Sequence, residues 1–346
     1  MENRQTWVTA LFELAWRLPL ALVHRLALAL HQAYLKLRFA RVNAGTAPRL
    51  PLLIVGGLRL TGSGKTSMTA RLAQAQVDQG RRVAILTYYR PDGLGFRRNR
   101  REVPFPFREI QADSPWQEGS DEAVLLKRLV PEARVYATRH RAAAWRSLSL
   151  LPNPPDTVLS DDGLLDPRLA GAERLILMRP GERPGWKQLF PAGPYRATLA
   201  WVRAGDKIWR GPGEAPGCDF NRVLRWPSGI ADSDRRRPII ALCGHGDPEG
   251  FFAFLRDKGC LLAATLTVAN HGEFNRETLR RLAAKHEPAA FACAPRDAVK
   301  LLPPETLGDL RAGFISALRL ENGWVGPLWV CGHDLTFPGA IDGARA

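Results

Sequence analysis

The 346-residue sequence is poor in cysteine and in acidic residues, and both shortages exclude classes of protein. Its five cysteines are odd in number, lie far apart and form no Cys-x-x-Cys pair. This pattern argues against a disulfide scaffold or a zinc site and favours a reducing compartment. The 34 acidic residues are outnumbered by 49 basic ones, so the formal net charge is +15. So basic a chain suggests an anionic partner: a nucleic acid, a membrane surface or a phosphorylated substrate.

The chain also lacks an unbroken apolar run of the about 18 residues that a membrane-spanning helix needs. The most apolar stretch, residues 7–38, is rich in Leu and Ala and is predicted to be helical, but Arg17 and Arg25 interrupt it. No small-residue cleavage site follows a compact apolar core, so the stretch does not have the form of a signal peptide. We therefore expect a helix that does not span a membrane.

Polar residues recur along this helix at intervals of seven. They are Arg17, His24, His31 and Arg38. At 3.6 residues per turn they form one polar stripe on an otherwise apolar helix. Such a helix can lie in a bilayer interface with its basic groups among anionic headgroups, or pack on its own domain with the stripe facing water. Because the apolar face is wider than docking on one domain requires, we predict that residues 1–40 are an amphipathic, membrane-associating helix.

Beyond residue 50, short apolar runs alternate with helical patterns. Eight runs have the character of strands: 51–55, 82–87, 134–138, 156–160, 174–178, 238–243, 261–268 and 289–294. This alternation is typical of βαβ units and predicts an α/β fold, with a mostly parallel sheet and helices on both faces. An Arg-rich segment at 234–237 precedes the last three runs, so we place a domain boundary at 228–237. The prediction is one domain at 41–230 and a second, smaller α/β domain at 237–346.

A glycine-rich segment follows the first of these strands, and its core reads GSGKT. A strand before it and a helix start after it are the context that a phosphate-binding P-loop requires, although Arg59 stands where the strict pattern has glycine. Backbone N–H groups close around a phosphate there, and the helix dipole adds to the binding. Lys65 is expected to reach the β and γ phosphates of a nucleotide, and Thr66 to hold Mg²⁺. The predicted nucleotide-binding residues are Thr61, Gly62, Ser63, Gly64, Lys65 and Thr66.

A P-loop NTPase-like fold also needs a carboxylate for the metal at the end of a neighbouring strand. The apolar run at 156–160 leads into Asp161 and Asp162. Their position is the carboxyl edge of the sheet, where ligands bind in α/β folds. We predict that both aspartates coordinate the metal together with Thr66.

Further segments follow the P-loop in an order that resembles one enzyme family. They are GSDEAVLLKRL at 119–129, SDDGL at 160–164, FPAGPYR at 190–196, CGHGDPEGFF at 243–252, NHGEF at 270–274 and RDAVKL at 296–301. With the N-terminal helix and the GSGKT loop, they make the chain similar to the tetraacyldisaccharide 4'-kinases, the lipid A 4'-kinases of Gram-negative bacteria. The resemblance is collinear over most of the chain.

The resemblance implies two α/β domains with the active site between them, and ATP and Mg²⁺ as cofactors. It implies transfer of the ATP γ-phosphate to the 4'-hydroxyl of a tetraacyldisaccharide 1-phosphate, the lipid A disaccharide precursor. The enzyme would work peripherally at the cytoplasmic face of the bacterial inner membrane, on an anionic surface. No helix-turn-helix, zinc finger or RNA-binding signature is present, so a nucleic acid partner is not expected.

The resemblance also implies roles for three residues. Asp121 matches the family's acidic residue that activates the sugar hydroxyl, and His271 matches its histidine partner. An alcohol is a poor nucleophile, and a carboxylate oriented by a histidine can take its proton during transfer. Arg196 matches the arginine of the family's PAGPLR segment and is expected to stabilise charge on the phosphoryl group.

The sequence departs from the family pattern at several positions expected to line the cleft. Examples are Tyr88, Ala197, Asn270 and Arg296, where the family has Arg, Glu, Asp and Lys. The alternative to a working kinase is therefore a divergent paralogue that binds nucleotide and membrane without efficient phosphoryl transfer. A GTPase or unrelated P-loop ATPase is a further alternative, although a guanine-specific Asn-Lys-x-Asp sequence is absent.

Overall fold

The chain forms two β-sheets with helices packed against them. The computed structural model describes residues 17–30, 33–34, 50–89, 107–169, 171–212, 218–244, 246–269, 272–320 and 325–337. The described α-helices are α1 (17–30), α2 (Lys65–Asp78), α3 (Asp121–Leu129), α4 (Arg141–Leu148), α5 (Asp232–Arg235), α6 (Pro248–Asp257), α7 (Arg276–His286) and α8 (Pro295–Leu301). None of the helices in this part of the chain is long and apolar enough to cross a membrane.

The first sheet has seven strands in the order β3-β4-β2-β5-β1-β6-β7. They are β1 (Leu52–Gly57), β2 (Val83–Tyr88), β3 (Arg108–Ile110), β4 (Arg134–Thr138), β5 (Thr157–Asp161), β6 (Glu173–Met178) and β7 (Lys207–Arg210). All neighbours pair in parallel except β3, which runs antiparallel to β4 at one edge. The carboxyl ends of β1, β2 and β5 therefore meet at one edge of the sheet, where the loops that follow them come together.

The second sheet has six strands, and five of them follow the order β10-β9-β11-β13-β12. They are β8 (Asn221–Arg225), β9 (Pro238–Cys243), β10 (Leu261–Thr267), β11 (Ala290–Cys293), β12 (Gly313–Arg319) and β13 (Val325–Thr336). The long strand β13 pairs with β12 along its first part and with β8 along its last five residues. The last part of β13 contacts helix α2, where His333 meets Ser67.

All eight predicted strands are present, and the predicted α/β fold with mostly parallel sheets is confirmed. Continuous apolar runs mark them because parallel strands are covered on both faces, as the fully buried Val55, Ile85 and Ile240 illustrate. The prediction did not include β3, β7, β8, β12 or β13. The boundary at 228–237 stays a prediction. If the chain is divided by its sheets, the division falls earlier, because β8 precedes that boundary but pairs with β13.

Helix α1 places its predicted polar stripe against the protein. Ala21 is fully buried, and its small side chain lets the middle of the helix approach the core. Arg17 and His24 are half-buried and lie on the same side, at spacings of four and three from Ala21. The His24 ring meets the Phe190 ring edge-on, with centroids 6.4 Å apart. This differs from the prediction, in which the stripe faced headgroups or water.

The remaining surface of α1 is largely apolar and exposed. Its exposed large side chains are Leu20, Leu22, Val23, Leu26 and Leu30. The exposed fraction rises to 71% at Leu30, which is unusual for a leucine on a packed helix. His31 and Arg38, the other two members of the predicted stripe, lie outside the described residues.

Candidate active site

The GSGKT segment forms a tight loop between β1 and α2. Gly62 and Gly64 adopt left-handed backbone conformations, with φ of 74° and 75°, which a side chain would strain. Gly64 is the residue before the first turn of α2, so the free N–H groups of that turn face the loop. Arg59 is directed elsewhere by an ion pair with Glu182 at 3.1 Å. The loop thus has the backbone form of a phosphate cradle despite the missing glycine.

Lys65 and Thr66 begin helix α2 at the floor of a cavity. Lys65 Nζ donates to the hydroxyl of Ser63 at 3.2 Å, and Thr66 Oγ1 donates to Asp161 Oδ2 at 2.9 Å. Burial lowers the pKa of Lys65 from its ordinary value, and the negative charge of Asp162 works against that shift. Lys65 and Thr66 therefore present a cation and a hydroxyl to any phosphate that enters.

Asp161 ends strand β5 with one carboxylate oxygen still available. Its Oδ2 accepts from Thr66, while its buried Oδ1 accepts no hydrogen bond from any described residue. Burial raises the pKa of Asp161 to about 7, and the nearby charges of Glu122 and Asp162 add to the shift. A buried carboxylate with an orphaned oxygen fits a cation ligand, because a divalent cation would remove the cost of ionising it.

Asp162 adopts a left-handed conformation, with φ of 67°, immediately after the strand. Its carboxylate is engaged by Arg196 in a two-pronged ion pair, with Nη1–Oδ2 at 2.5 Å and Nη2–Oδ1 at 2.7 Å. Burial alone would raise the pKa of Asp162, but the charges of Arg196 and Lys65 hold it well below its usual range. The same guanidinium donates to the carbonyl oxygen of Gly57 at the end of β1, at 3.0 Å from Nε and 2.7 Å from Nη2. Arg196 thus fastens Asp162 to the strand that precedes the P-loop.

Asp121 begins helix α3, and Ser120 caps that helix by accepting the N–H of Ala123. Asp121 is 2% exposed, and its Oδ2 accepts from Arg296 Nε at 2.9 Å. The neighbouring Glu122 accepts from Arg296 Nη2, also at 2.9 Å. Arg296 is the second residue of α8, which packs against the second sheet, so these ion pairs link α3 to an element of that sheet's layer. Within the described residues, Glu122 and Arg296 line the cavity and Asp121 lies behind them.

The cavity has a volume of about 700 Å³ and draws its walls from elements of both sheets. All six predicted nucleotide-binding residues line it, as do Asp161, Asp162 and Arg196. His271 lies outside the described residues. Its neighbour Gly272 is held at its carbonyl oxygen by Lys300 Nζ at 3.0 Å, and Lys300 pairs with the buried Asp297 at 2.9 Å.

Sequence reasoning missed several residues of the cavity wall. Glu122 was within reach, because it stands beside Asp121 in the GSDE segment and on the same first turn of α3. Arg296 was noted as a departure from the family, but its partners are 175 and 174 residues away along the chain. His333 gave no signal, because its strand β13 was not predicted.

The fold and the site together define the class of protein. A P-loop joins a buried strand to a helix, and a carboxylate with an orphaned oxygen stands at the end of the adjacent strand. This arrangement is that of a P-loop nucleotide-binding protein.

Comparison with known proteins identifies the family. A family model described as tetraacyldisaccharide-1-P 4'-kinase matches residues 14–322. The tetraacyldisaccharide 4'-kinase of Gluconacetobacter diazotrophicus is 32% identical over 286 residues, which are 79% of this chain and 83% of that protein. That of Delftia acidovorans is 32% identical over 299 residues, or 82% and 81%. LpxK of Aquifex aeolicus, crystallised with ATP, has the same fold with a TM-score of 0.57 at 19% identity, over 92% of this chain and 95% of that chain. The chain belongs to the tetraacyldisaccharide-1-P 4'-kinase family.

Membership in this family confirms the predicted kinase activity, the use of ATP and Mg²⁺, and the role in lipid A biosynthesis. The lipid A disaccharide precursor is the substrate that the family implies. The alternative, a paralogue without efficient phosphoryl transfer, finds no support in these comparisons.

Proposed function

We propose that this cavity transfers the γ-phosphate of ATP to the 4'-hydroxyl of the lipid A disaccharide precursor. The observation that carries the proposal is the contact of Thr66 with Asp161 beside Lys65. A hydroxyl and a carboxylate so placed would hold Mg²⁺, which would neutralise charge on the nucleotide phosphates. Thr66 and the orphaned Oδ1 of Asp161 fit that group. Asp162 is adjacent, but it would have to exchange Arg196 for the metal before it became a ligand.

Three cationic or dipolar groups of the chain act on the phosphates. Lys65 supplies a point charge, the loop glycines expose N–H groups, and the N-terminus of α2 adds its dipole. They are arranged before the nucleotide binds, so little reorganisation is needed when charge develops during transfer. Arg196 contributes through Asp162 and Gly57, since its hydrogen bonds fix the ends of β1 and β5 relative to each other.

The acceptor hydroxyl needs a base, and we assign Asp121 to that role with His271 as its partner. Asp121 is buried and held by Arg296 behind the cavity wall, so it must be uncovered before it can hydrogen-bond to the sugar; geometry before substrate binds does not rule out a catalytic group. Its neighbour Glu122 lines the cavity and shares the same guanidinium. The two carboxylates therefore provide a matched pair of variants.

The test compares Asp121→Asn with Glu122→Gln in full-length protein. We expect Asp121→Asn to lower kcat by roughly 10² to 10⁴ with little change in ATP affinity, because the proton acceptor is lost while the phosphate loop is unchanged. Glu122→Gln keeps the Asp121 acceptor and is expected to lower kcat less than Asp121→Asn does. If Glu122→Gln lowers kcat more, the base is Glu122. Adding His271→Ala to Asp121→Asn is expected to cost little more, because residues that act as a unit are not additive.

We also propose that α1 lies on the anionic cytoplasmic face of the inner membrane. Its packed side carries Ala21 and His24, so the apolar leucines face outward rather than into the core. Exposed apolar surface on a helix of a basic protein fits shallow insertion below anionic headgroups. The substrate carries acyl chains, so a kinase at that surface meets it without extracting it fully into water.

Sedimentation with anionic vesicles tests this placement. Leu26→Glu and Leu30→Glu are expected to reduce the bound fraction, because each introduces a charge into the inserted face. The matched control is Leu150→Glu, since Leu150 is 83% exposed in the turn after α4, away from the helix. Equal binding by all three variants and the unmodified chain would count against the proposal.

A further inference from the structure

A histidine of the second sheet reaches the first turn of helix α2. His333 lies on β13, and its Nδ1 atom is 3.0 Å from the hydroxyl oxygen of Ser67. Ser67 follows Lys65 and Thr66 directly on α2, and both Ser67 and His333 line the cavity. The contact therefore joins the second sheet to the turn that faces the phosphates.

The backbone of β13 holds this histidine firmly. His333 lies opposite Leu224 of β8 in an antiparallel ladder, and Leu224 lines the cavity as well. On its other side, the N–H of His333 donates to the carbonyl oxygen of Leu310 at 3.2 Å. A ring presented by a strand that is bonded in this way is suited to positioning another group.

The family match does not reach this residue. The family model matches residues 14–322, and the segments that carry the resemblance end at residue 301. His333 therefore lies beyond both.

We propose that His333 is a positioning residue for the nucleotide and acts through Ser67. With its proton on Nδ1, His333 donates to Ser67 Oγ, and the hydroxyl proton of Ser67 is then directed to a phosphate oxygen. The first N–H groups of α2 have no partner within the helix and face the same phosphates. The second sheet thus takes part in holding the nucleotide, an inference that rests on the proposed nucleotide site.

Titration calorimetry with Mg²⁺ and either ATP or ADP tests the proposal on full-length His333→Ala, Ser67→Ala and the double variant. Each single change is expected to weaken binding of both nucleotides by about five- to tenfold, the size of one hydrogen bond. Both nucleotides are affected because the amides of this turn face the α and β phosphates, which ADP keeps. The double variant is expected to be no weaker than the worse single variant, because both remove one interaction.

Turnover separates positioning from a general loss of structure. For His333→Ala, the KM for ATP is expected to rise by the same factor while kcat stays within about twofold. His333→Asn places an amide near the position of Nδ1 and is expected to restore most of the affinity. Thr336→Ala, at the exposed end of the same strand, is the matched control and is expected to bind as the unmodified chain does.

Lys65→Ala distinguishes the two ways in which the inference can fail. If Lys65→Ala leaves ATP binding intact, the nucleotide site itself is misplaced and the inference falls with it. If Lys65→Ala abolishes binding, any of three results overturns the role of His333 alone. These are unchanged affinity in His333→Ala, losses that multiply in the double variant, and an Asn variant as weak as the Ala variant.

Discussion

Arg196→Ala tests whether the arginine acts on the phosphoryl group directly or through Asp162. In the structure its guanidinium makes two bonds to Asp162 and two to the carbonyl oxygen of Gly57. All of these are lost in the variant, and Asp162 keeps its charge without its hydrogen-bonded cation, with Lys65 as a remaining nearby positive charge. We therefore expect loss of both stability and turnover.

The size of the expected stability loss follows from the burial of the Arg196–Asp162 ion pair. Breaking a fully buried ion pair by removing one partner costs about 3–5 kcal/mol. The side chains of Arg196 and Asp162 are 19% and 27% exposed, so water compensates part of the loss. We expect the free energy of unfolding to fall by about 2–4 kcal/mol, measured by urea denaturation. Arg196→Lys keeps the charge but not the two-pronged contact. Its free energy of unfolding is expected to lie between those of the unmodified chain and Arg196→Ala.

Steady-state kinetics distinguish direct action of Arg196 on the phosphoryl group from action through Asp162. If Arg196 acts by holding Asp162, then Arg196→Ala combined with Asp162→Asn lowers kcat no further than the worse single change. If the two losses multiply, Arg196 makes a separate contact with the transferred group. A stability loss below about 1 kcal/mol would refute the reasoning outright, because the bonds of the guanidinium would then not contribute as the structure implies.

Three further predictions concern binding and stability. Lys65→Ala is expected to weaken ATP binding and lower turnover by orders of magnitude, because the phosphates lose their buried cation; unchanged turnover would show that the P-loop assignment is wrong. Arg174→Met is expected to lower the free energy of unfolding by about 3–5 kcal/mol in urea denaturation, because Asp206, which is 6% exposed, loses its partner. Adding Asp206→Leu is expected to recover part of that free energy. The bond from Arg82 lowers the pKa of Asp156 to about 2, so its contribution to stability is present above about pH 4 and lost as pH falls through about 2. The unfolding midpoint of Asp156→Asn should therefore lie below that of the unmodified chain at pH 6 and match it near pH 2.

The sequence pattern predicts some strands of the two sheets more clearly than others. Every run that was predicted forms a parallel strand with an apolar stretch, and all are internal to their sheets except β10, which lies at an edge. Strand β13 escaped prediction because Gly326, Pro327 and Gly332 interrupt its pattern. Strands β7 and β8 are short and half-exposed, with charged residues at their ends, so their side chains resemble those of loops.

The sequence alone determined the phosphate loop, its lysine and threonine, and the aspartates that end β5. These features depend on neighbours within a few residues, where covalent geometry fixes the spacing between a strand, a turn and a helix start. The tertiary structure decided the partners: Arg196 with Asp162, Arg296 with the two carboxylates of α3, and His333 with Ser67. The last of these pairs is separated by 266 residues. Such contacts depend on how two sheets pack, and packing is set by the summed shape and burial of many side chains, which no local pattern encodes.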